Sequence, residues 1–565
     1  MLAIVLSIGI IIAWYAFFSP NKPGQQQAQQ TQAQEILESE KTAATAPIAE
    51  KAETASKDEA GDERSDPQEG IAAKETVLED SRVRATFTNK GGVPSSWGVK
   101  GYHQSTDPKS PLVDLSTSVA PAMTLTFDDA NFFFPENPTY KLVSADKDKV
   151  VYEWRSNEAA ITKTIELGNA GYDADVRVRI TNLTNKTLTA KPQLAVGGTN
   201  APKKKKGFFS FLQQPPVDNS TPLYFMDGSV EREKSVGEIG ELQVISPDQQ
   251  KGGGMYWAGV ESRYFLSVVI PRTMSSGVSA VMGSAPVKDA APGTTKLMAG
   301  AVLAPVTVTP NGTGEVTFTT YMGPKEIHDL KAIGVNLDKA IDYGWFTVIA
   351  IPILYALKFF YSILGNYGLA IILLTIVIKL MMHPINIKSL KSMKAMQQLQ
   401  PKLKELQAKY KDNKERLNQE TMQLFKAHKV NPMGGCLPML LQLPIYIALY
   451  KVLWNSIELY HAPFFWFYKD LAAPDPYMIT PIILGVFMVA QQKLMPSASA
   501  DPAQKKMMMI MPIMFTVFMI FLPVGLVVYI LVNTVMTVTT QWMYNKGIRM
   551  RDVIRFKFKP HTVAA

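Results

Sequence analysis

Long apolar runs occupy residues 343–544 and constrain the fold more than any other feature of the sequence. One run, Gly368 to Met382, reads GLAIILLTIVIKLMM, which is typical of a membrane span. Its single charge is Lys379. A cation at the centre of a spanning helix costs about 2.5–3.5 kcal/mol, so an intramembrane lysine predicts a functional role. The alternative is that its long side chain snorkels to the polar flank that begins at His383.

The N-terminal segment contains a second kind of apolar run. Residues 2–18 are apolar and end in interfacial aromatics, and no small-residue cleavage site follows, so we predict an uncleaved transmembrane anchor over 1–18 rather than a signal peptide. Residues 19–75 are rich in Gln, Ala, Glu and Lys. Such a segment cannot bury enough apolar surface to fold, and we predict a flexible linker.

Residues 76–330 have the alternation of apolar and polar residues that strands require. The clearest example is DVRVRIT at 175–181, and turn signals occur at Gly91–Gly92 and Asn311–Gly312. This pattern predicts an all-β sandwich. The domain contains no catalytic motif, and the run Lys203–Lys206 is predicted to be a solvated loop.

Two apolar stretches, Tyr343–Leu364 and Tyr367–Met382, follow in succession. If both crossed the membrane, the basic segment after Pro384 would return to the side of the β domain. Basic segments prefer the cytoplasmic side. We therefore predict an interfacial amphipathic helix at 338–360 and a transmembrane span at 362–384 that carries Lys379.

Residues 385–432 hold eleven Lys or Arg against four Asp or Glu. The pattern predicts a basic cytoplasmic hairpin of two charged helices joined near Asp412–Asn413. Two interpretations stay open, a solvated spacer and a docking surface for an anionic partner. The candidate docking residues are Lys402, Lys404, Lys409 and Lys411.

Four further apolar stretches predict four more spans, at 433–454, 477–495, 505–522 and 524–544. The last two are so close in sequence that we expect them to form a tight hairpin. A basic cytoplasmic tail is predicted at 545–565. The fold class is thus a multi-domain membrane protein with a polytopic α-helical core, six spans in all, an all-β sandwich on the side opposite the cytoplasm and both termini in the cytoplasm.

Polar residues form stripes on the predicted spans. Thr375 lies one turn before Lys379, so both are on one helix face. Other stripes recur every four residues, and their members are Tyr529, Asn533, Thr537 and Gln541 in the last span and Gln442, Tyr446 and Tyr450 in the third. Each stripe alone is explained by interhelical hydrogen bonds. Together with a cation they favour a water-filled groove between the spans.

Methionine is concentrated at the C-terminal end, since nineteen of the 27 fall at or after residue 381. Flexible, polarizable side chains suit a surface that accepts many apolar sequences, although methionine also fills gaps in ordinary packing. The candidate substrate-contacting residues are Met439, Met508 and Met511.

Three segments resemble the YidC/Oxa/Alb family of membrane protein insertases. They are KVNPMGGCLPMLLQLPIYIALY at 429–450, DPAQKKMMMIMP at 501–512 with FLPVGLVVYILVN at 521–533, and LQPKLKELQAKYKDNKERLNQE at 399–420. The β domain and anchor resemble the Gram-negative bacterial branch, so the likeness covers the whole chain.

This resemblance implies a five-helix core in the bacterial inner membrane that encloses a hydrophilic groove, with the β sandwich in the periplasm. It implies that Lys379 attracts the polar segment of a nascent membrane protein, with Thr375, Gln442, Tyr529 and Asn533 as further groove residues. The family residue at position 379 is usually arginine, whose five-donor fork lysine lacks. The implied partners are nascent chains, the Sec translocon with its accessory proteins, the ribosome through the hairpin or tail, and membrane lipids.

Other function classes find little support. The six histidines are scattered, Cys436 is the single cysteine, and no nucleotide motif occurs, so we predict no metal, no cofactor and no catalytic residue. No motif for sequence-specific nucleic acid binding accompanies the basic segment. The rival prediction is a secondary transporter or channel for a small solute, although the internal repeat typical of such folds is missing.

Overall fold

The computed structural model describes residues 66–548 apart from 169–170, 202–218, 234–242, 248–253, 273–276, 288–289, 412, 429, 431–436, 466 and 495–501. Residues 414, 437–441 and 502–508 are described by their backbone alone. The predicted anchor at 1–18, most of the linker at 19–75, the run Lys203–Lys206 and most of the tail at 545–565 lie outside the described residues.

Nineteen described strands build the domain that follows the linker. They are β1 Glu75–Glu79, β2 Val83–Thr88, β3 Val93–His103, β4 Leu112–Asp114, β5 Thr124–Asp128, β6 Lys141–Ala145, β7 Lys149–Arg155, β8 Ala159–Leu167, β9 Asp173–Asn182, β10 Leu188–Asn200, β11 Thr221–Met226, β12 Ser229–Arg232, β13 Gln243–Ile245, β14 Met255–Glu261, β15 Phe265–Pro271, β16 Ser279–Pro286, β17 Thr295–Val302, β18 Val306–Val308 and β19 Thr313–Pro324.

The strands form three antiparallel sheets. A nine-stranded sheet has the order β12-β11-β14-β15-β19-β9-β8-β7-β6. A six-stranded sheet has the order β13-β16-β17-β10-β18, with β5 also paired to β10, and it packs against the nine-stranded sheet through β14, β15 and β17. A four-stranded sheet, β1-β2-β3-β4, joins the nine-stranded sheet where Trp97 Nε1 donates to the carbonyl of Met322 at 2.8 Å. The predicted β sandwich is confirmed.

Apolar and polar residues alternate along β9, and this alternation explains why one face of the strand is buried in the core and the other is not. Its apolar residues are buried, while Arg177 and Arg179 point to the other face. There Arg179 pairs with Glu315 of β19 at 2.8 Å. Because successive side chains of a strand point to opposite faces, a slip of one residue would move the apolar set to the exposed face, so the alternation determines which face of β9 is buried.

Strand β8 places a charged residue, Lys163, on its buried face among apolar neighbours. The ammonium is fully buried and donates to the carbonyl of Met123 at 2.6 Å. Burial lowers the pKa of Lys163 to about 7, whereas an unfolded chain has a lysine pKa of about 10.4. Above pH 7 the unfolded chain therefore binds the extra proton, so stability increases with pH.

We expect the free energy of unfolding to rise between pH 7 and pH 9 by up to about 1.4 kcal/mol per pH unit through Lys163. Urea unfolding of the full-length protein in detergent, followed by tryptophan fluorescence, measures this slope. Lys163→Met removes the titrating group and should flatten the profile. An equal slope in both proteins would show that Lys163 is not its source.

The described helices follow the sandwich. They are α1 Ile327–Ile333, α2 Thr347–Leu364, α3 Tyr367–Gln398, α4 Gln400–Lys409, α5 Lys414–Ala427, α6 Leu437–Asn455, α7 Ile479–Leu494, α8 Pro502–Met519 and α9 Val524–Asn545. Within the described residues, three segments are long and apolar enough to cross a membrane, namely Gly344–Leu364, Tyr367–Gln398 and Val524–Asn545. Two shorter apolar helices are Ile479–Leu494 and Met509–Met519.

Helix α3 is longer than the predicted span, because it continues through Pro384 to Gln398. The first part of the predicted hairpin thus belongs to the same helix as Lys379. Asn366 begins the helix by accepting the N–H of Leu369 at 3.1 Å. Beyond α3, helix α4 ends at Lys409 and helix α5 begins at Lys414.

The ends of the helices that lie near the sandwich are tied to it by hydrogen bonds. Helix α6 ends there, since Arg263 Nε donates to the carbonyl of Trp454 at 3.0 Å. Helix α9 begins there too. Gly525 N donates to Leu471 O at 2.9 Å, and Leu471 belongs to the loop after α6. The same loop is bound to the sandwich, because Tyr460 Oη donates to His103 O of β3 at 2.7 Å. Helix α3 begins at the same loop, where Asn366 Nδ2 donates to Phe464 O. Helices α3 and α9 therefore run away from the sandwich and α6 runs towards it.

Helix α2 has both of its ends at the sandwich side of the helices. Before it, the carbonyl of Asp342 accepts from Asn455 at the end of α6 at 2.7 Å. After it, Asn366 binds the loop that holds the start of α3. Its buried residues, Ala350, Ile353, Leu354 and Leu357, have the spacing of one helix face. The helix therefore runs across the ends of its neighbours rather than along them.

The last two predicted spans do not form the closely packed hairpin that their short connection suggests. A four-residue turn joins α8 to α9, but α7 packs against both of them. In their described parts, α8 and α9 do not pack along each other. The short turn requires only that the end of α8 be close to the start of α9. Along their lengths, both helices pack against α7 instead of against each other.

Candidate functional site

Lys379 lies between two apolar helices with its ammonium half-buried. Its Nζ donates to Thr537 Oγ1 of α9 at 3.0 Å. Among the described residues, no carboxylate is close enough to form an ion pair with Lys379. The cation is thus held by a neutral acceptor on the neighbouring helix α9.

A second group of polar side chains joins α6 to α9. Gln442 Nε2 donates to Tyr529 Oη at 3.1 Å and to Asn533 Oδ1 at 3.2 Å. Asn533 Nδ2 in turn donates to the hydroxyl of Tyr446. The rings of Tyr446 and Tyr529 meet edge to face with their centroids 5.4 Å apart. Gln442, Tyr529 and Asn533 are all buried.

Asn533 connects the two groups. Its backbone carbonyl accepts from Thr537 Oγ1 at 2.7 Å, and that oxygen accepts from Lys379. Hydrogen bonds therefore run without a break from α3 through α9 to α6. We call this set the polar cluster, and its members are Lys379, Gln442, Tyr446, Tyr529, Asn533 and Thr537.

Thr375 is buried near the polar cluster but does not bind Lys379. Its hydroxyl donates to the carbonyl of Ile371, one turn earlier in the same helix, at 2.6 Å. A threonine in a helix often satisfies its hydroxyl in this way. Among the predicted groove residues, the structure therefore brings Lys379, Gln442, Tyr529 and Asn533 into one hydrogen-bonded network and leaves Thr375 beside it.

Of the three predicted apolar contact residues, Met511 is described in full, and 43% of its side chain is exposed. Its neighbours Met509 and Met514 on α8 are exposed as well. The side chains of Met439 and Met508 lie outside the described residues. The described part of α8 thus presents a flexible apolar surface.

The four predicted docking residues, Lys402, Lys404, Lys409 and Lys411, are all exposed. Lys402 Nζ lies 3.0 Å from His428 Nε2, and this contact joins α4 to the end of α5. The other three extend from the hairpin into solvent, where they can meet an anionic surface.

Sequence reasoning missed an ion-pair group at the sandwich side of the helices. Lys358 of α2 binds the carboxylates of Glu326 and of Glu458, the latter at 2.9 Å. Glu326 also caps α1 by accepting the N–H groups of His328 and Asp329. The charge of Lys358 within an apolar stretch was the one signal that could have indicated this group.

Glu326, His328 and Asp329 are the one described group whose ligand atoms are close enough to hold a metal ion, within 4.8 Å of one another. Both carboxylates are already engaged by cations of the chain. Glu326 binds Lys358, and Asp329 binds Arg82 at 2.9 Å. The burial of Glu326 opposes its ionisation, but Lys358 and the capping N–H groups lower its pKa.

A cavity of about 730 Å³ lies between the sandwich and the loop that follows α6. Its lining includes Arg263, Tyr264, Tyr460, His461 and Asp470. No member of the polar cluster lines it. The polar cluster and this cavity are therefore separate features of the protein.

Comparisons with protein families match both halves of the chain. The family model for the YidC periplasmic domain matches residues 75–356, which contain the sandwich. The model for the 60Kd inner membrane protein matches residues 359–552, which contain the polar cluster. Together these two matches cover nearly all of the described residues.

Individual relatives match almost end to end. The membrane protein insertase YidC of Syntrophus aciditrophicus (strain SB) is 37% identical over 496 residues, which are 85% of this chain and 86% of the relative. That of Geobacter metallireducens (strain ATCC 53774 / DSM 7210 / GS-15) is 34% identical over 564 residues, 97% of this chain and 98% of the relative. A crystal structure of an active YidC insertase with its first transmembrane domain resolved covers 84% of this chain and 93% of its own, with 18% identity and a TM-score of 0.36.

The sequence matches confirm the resemblance on the segments quoted above and favour the insertase over a small-solute transporter or channel. The chain belongs to the YidC family of membrane protein insertases.

Proposed function

We propose that the protein inserts and folds nascent integral membrane proteins in the inner membrane, and that the polar cluster receives the polar segment of the substrate. The observation that carries this proposal is the ammonium of Lys379, which lies between apolar helices with the hydroxyl of Thr537 as its described partner. A cation between apolar helices of a membrane protein costs free energy, so the presence of Lys379 there indicates a functional role.

Substrate binding follows from the electrostatics of the site. A carboxylate attracts an ammonium more strongly in a low dielectric than in water, so an acidic residue of the substrate can join Thr537 as a second partner of Lys379. Gln442, Tyr529 and Asn533 can then exchange hydrogen bonds with the substrate backbone, and Thr375 lines the same face. A hydrophilic groove opened in this way shortens the hydrocarbon path that a hydrated segment must cross.

The apolar helix of the substrate needs a route into lipid. We propose that it leaves along the methionine-rich surface of α8, with Met511 exposed there and Met508 and Met439 as further predicted contacts. The chain has no nucleotide motif, so the free energy comes from the hydrophobic partition of the substrate into the bilayer.

The proposed topology has six spans, with both termini in the cytoplasm and the sandwich in the periplasm. The directions of the helices support it, because α3 and α9 begin near the sandwich and α6 ends there. The lateral course of α2 supports the interfacial position predicted for 338–360. The basic hairpin then lies in the cytoplasm, as the preference of basic segments requires.

The exposed lysines of the hairpin suit anionic partners. We propose that Lys402, Lys404, Lys409 and Lys411, or the basic tail, contact the ribosome during synthesis and the anionic lipids of the inner leaflet. The protein works either alone or beside the Sec translocon and its accessory proteins. No sequence-specific contact with nucleic acid is part of this proposal.

A crosslinking experiment tests the site. Photo-lysine at position 379 keeps the ammonium, and a ribosome-stalled nascent chain supplies a single acidic residue in its translocated tail. We expect adducts between position 379 and the acidic segment. Photo-lysine at Lys141, exposed on β6, is the matched control and should give none. Equal adducts from both positions, or none from 379, would contradict the proposed site.

A further inference from the structure

Thr537 has a fixed hydrogen-bonding polarity. Its hydroxyl carries one proton, which it donates to the carbonyl of Asn533 at 2.7 Å. The oxygen can therefore offer only a lone pair to Lys379, whose Nζ lies 3.0 Å away. In a helix, this bond to the preceding turn also holds the χ1 angle of the threonine in a rotamer that keeps Oγ1 near that carbonyl. The lone pair that Lys379 meets is thus attached almost rigidly to the backbone of α9.

The two helices that carry this contact run in the same direction. A Cβ on Gly525, near the start of α9, would lie 3.3 Å from Ile371 Cδ1 of α3. Further along both helices, Lys394 Nζ lies 5.7 Å from the ring centroid of Tyr544. At 1.5 Å per residue, Lys379 and Thr537 both lie about 18–20 Å from the starts of their helices. The donor and the acceptor therefore share one depth.

A lysine without such a partner has no defined depth. Its four-carbon stem lets the ammonium move by about one helical turn, roughly 5 Å, and the favourable direction is towards water. Bound to Thr537, the ammonium has one proton engaged and two that have no partner among the described residues. Those two protons can bind a carboxylate while the third keeps the charge in place.

We propose that Thr537 is a positioning residue for Lys379, which sets the depth of the positive charge and thereby determines where along a translocated segment an acidic residue is accepted. This inference rests on the proposed function of Lys379. It adds that the depth of the charge selects one position along the substrate. An extended substrate advances about 3.3 Å per residue, so a displacement of the ammonium by about 5 Å corresponds to one or two residues.

The test uses single-span substrates in which one Asp is moved residue by residue along an otherwise neutral translocated tail. Insertion by the full-length protein in vesicles is measured for each Asp position. The wild-type protein should show an optimum position. In Thr537→Val, which keeps the shape but removes the hydroxyl, the optimum should shift by about one or two residues or broaden over that range.

Two further variants separate positioning from folding. Thr537→Ser keeps the hydroxyl and should restore the wild-type optimum. Thr539 donates to the carbonyl of Val535 in the same manner but is exposed, so Thr539→Val is the matched control and should leave the optimum unchanged. A lower yield in Thr537→Val at an unchanged optimum would overturn the inference, since it would show a structural role alone.

The failure of this inference can be distinguished from the failure of the proposed function. If Lys379→Ala lowers the insertion of Asp-bearing tails while Thr537→Val keeps the wild-type optimum, Lys379 retains its role and Thr537 loses the one proposed for it. If Lys379→Ala has no effect, both proposals are wrong. If Lys379→Ala lowers insertion but the wild-type protein shows no dependence on the position of Asp, only the inference about Thr537 is wrong.

Discussion

Lys379→Ala is expected to lower the insertion rate of a single-span protein with an acidic translocated tail by about ten- to a hundredfold. A hydrogen bond to a charged group contributes roughly 1.5–3 kcal/mol, and each 1.4 kcal/mol is a factor of ten. The substitution should leave the fold intact, because Thr537 keeps its bond to Asn533 and the helix loses an unfavourable charge. Insertion into vesicles, followed by protease protection, measures the rate.

The controls for this variant separate charge from shape. Lys379→Arg keeps the charge and should retain most of the insertion of the acidic substrate. A substrate whose tail carries Asn in place of Asp should be inserted equally well by the wild-type and Ala proteins. If the Ala protein inserts the acidic substrate at the wild-type rate, the charge of Lys379 has no part in insertion.

Lys358→Met is expected to destabilise the junction between the sandwich and the helices by about 3–5 kcal/mol, the usual cost of removing one partner from a buried ionic group. The side chain of Glu458 is 9% exposed and that of Glu326 is 19% exposed, so both carboxylates would face each other with little water. Thermal unfolding of the full-length protein in detergent measures the loss.

A second substitution and a surface control identify the cause. Glu458→Gln in the Lys358→Met background removes one of the two unpaired charges and should recover part of the lost stability. Lys141→Met removes an exposed lysine from β6 and should change the midpoint little. An unchanged midpoint in Lys358→Met would mean that the ionic group contributes nothing to the junction.

The polar residues of the cluster could be predicted because they recur at helical spacing within apolar runs. Gln442, Tyr529 and Asn533 were selected in this way, and the structure brings them together. The partner of Lys379 could not be predicted by the same means. Spacing placed Thr375 on its face, but the hydroxyl of Thr375 is satisfied within its own helix, and Thr537 is the acceptor. Which stripes face one another depends on the packing of the helices.

The sandwich shows a similar division between local and distant information. Alternation on β9 predicts a strand with one buried face, because that pattern is local. The order of the strands cannot be read in this way, since β10 pairs with β5, β17 and β18, which are far apart in the sequence. The ionic group of Lys358 has the same character, because Glu458 is distant in sequence and is brought close only by the course of α2 over the end of α6.

The uninterrupted course of α3 through Pro384 has a consequence for the level at which Lys379 lies in the membrane. Its 32 residues correspond to about 48 Å, whereas the hydrocarbon layer is about 30 Å thick. Lys388, Lys391 and Lys394, all exposed, lie about 14–22 Å further along the helix than Lys379. In the proposed orientation they reach the inner headgroups, where each lysine gains about 1 kcal/mol from anionic lipid. In this proposed orientation, the lipid composition of the inner leaflet would help to set the height of the Lys379 charge in the bilayer.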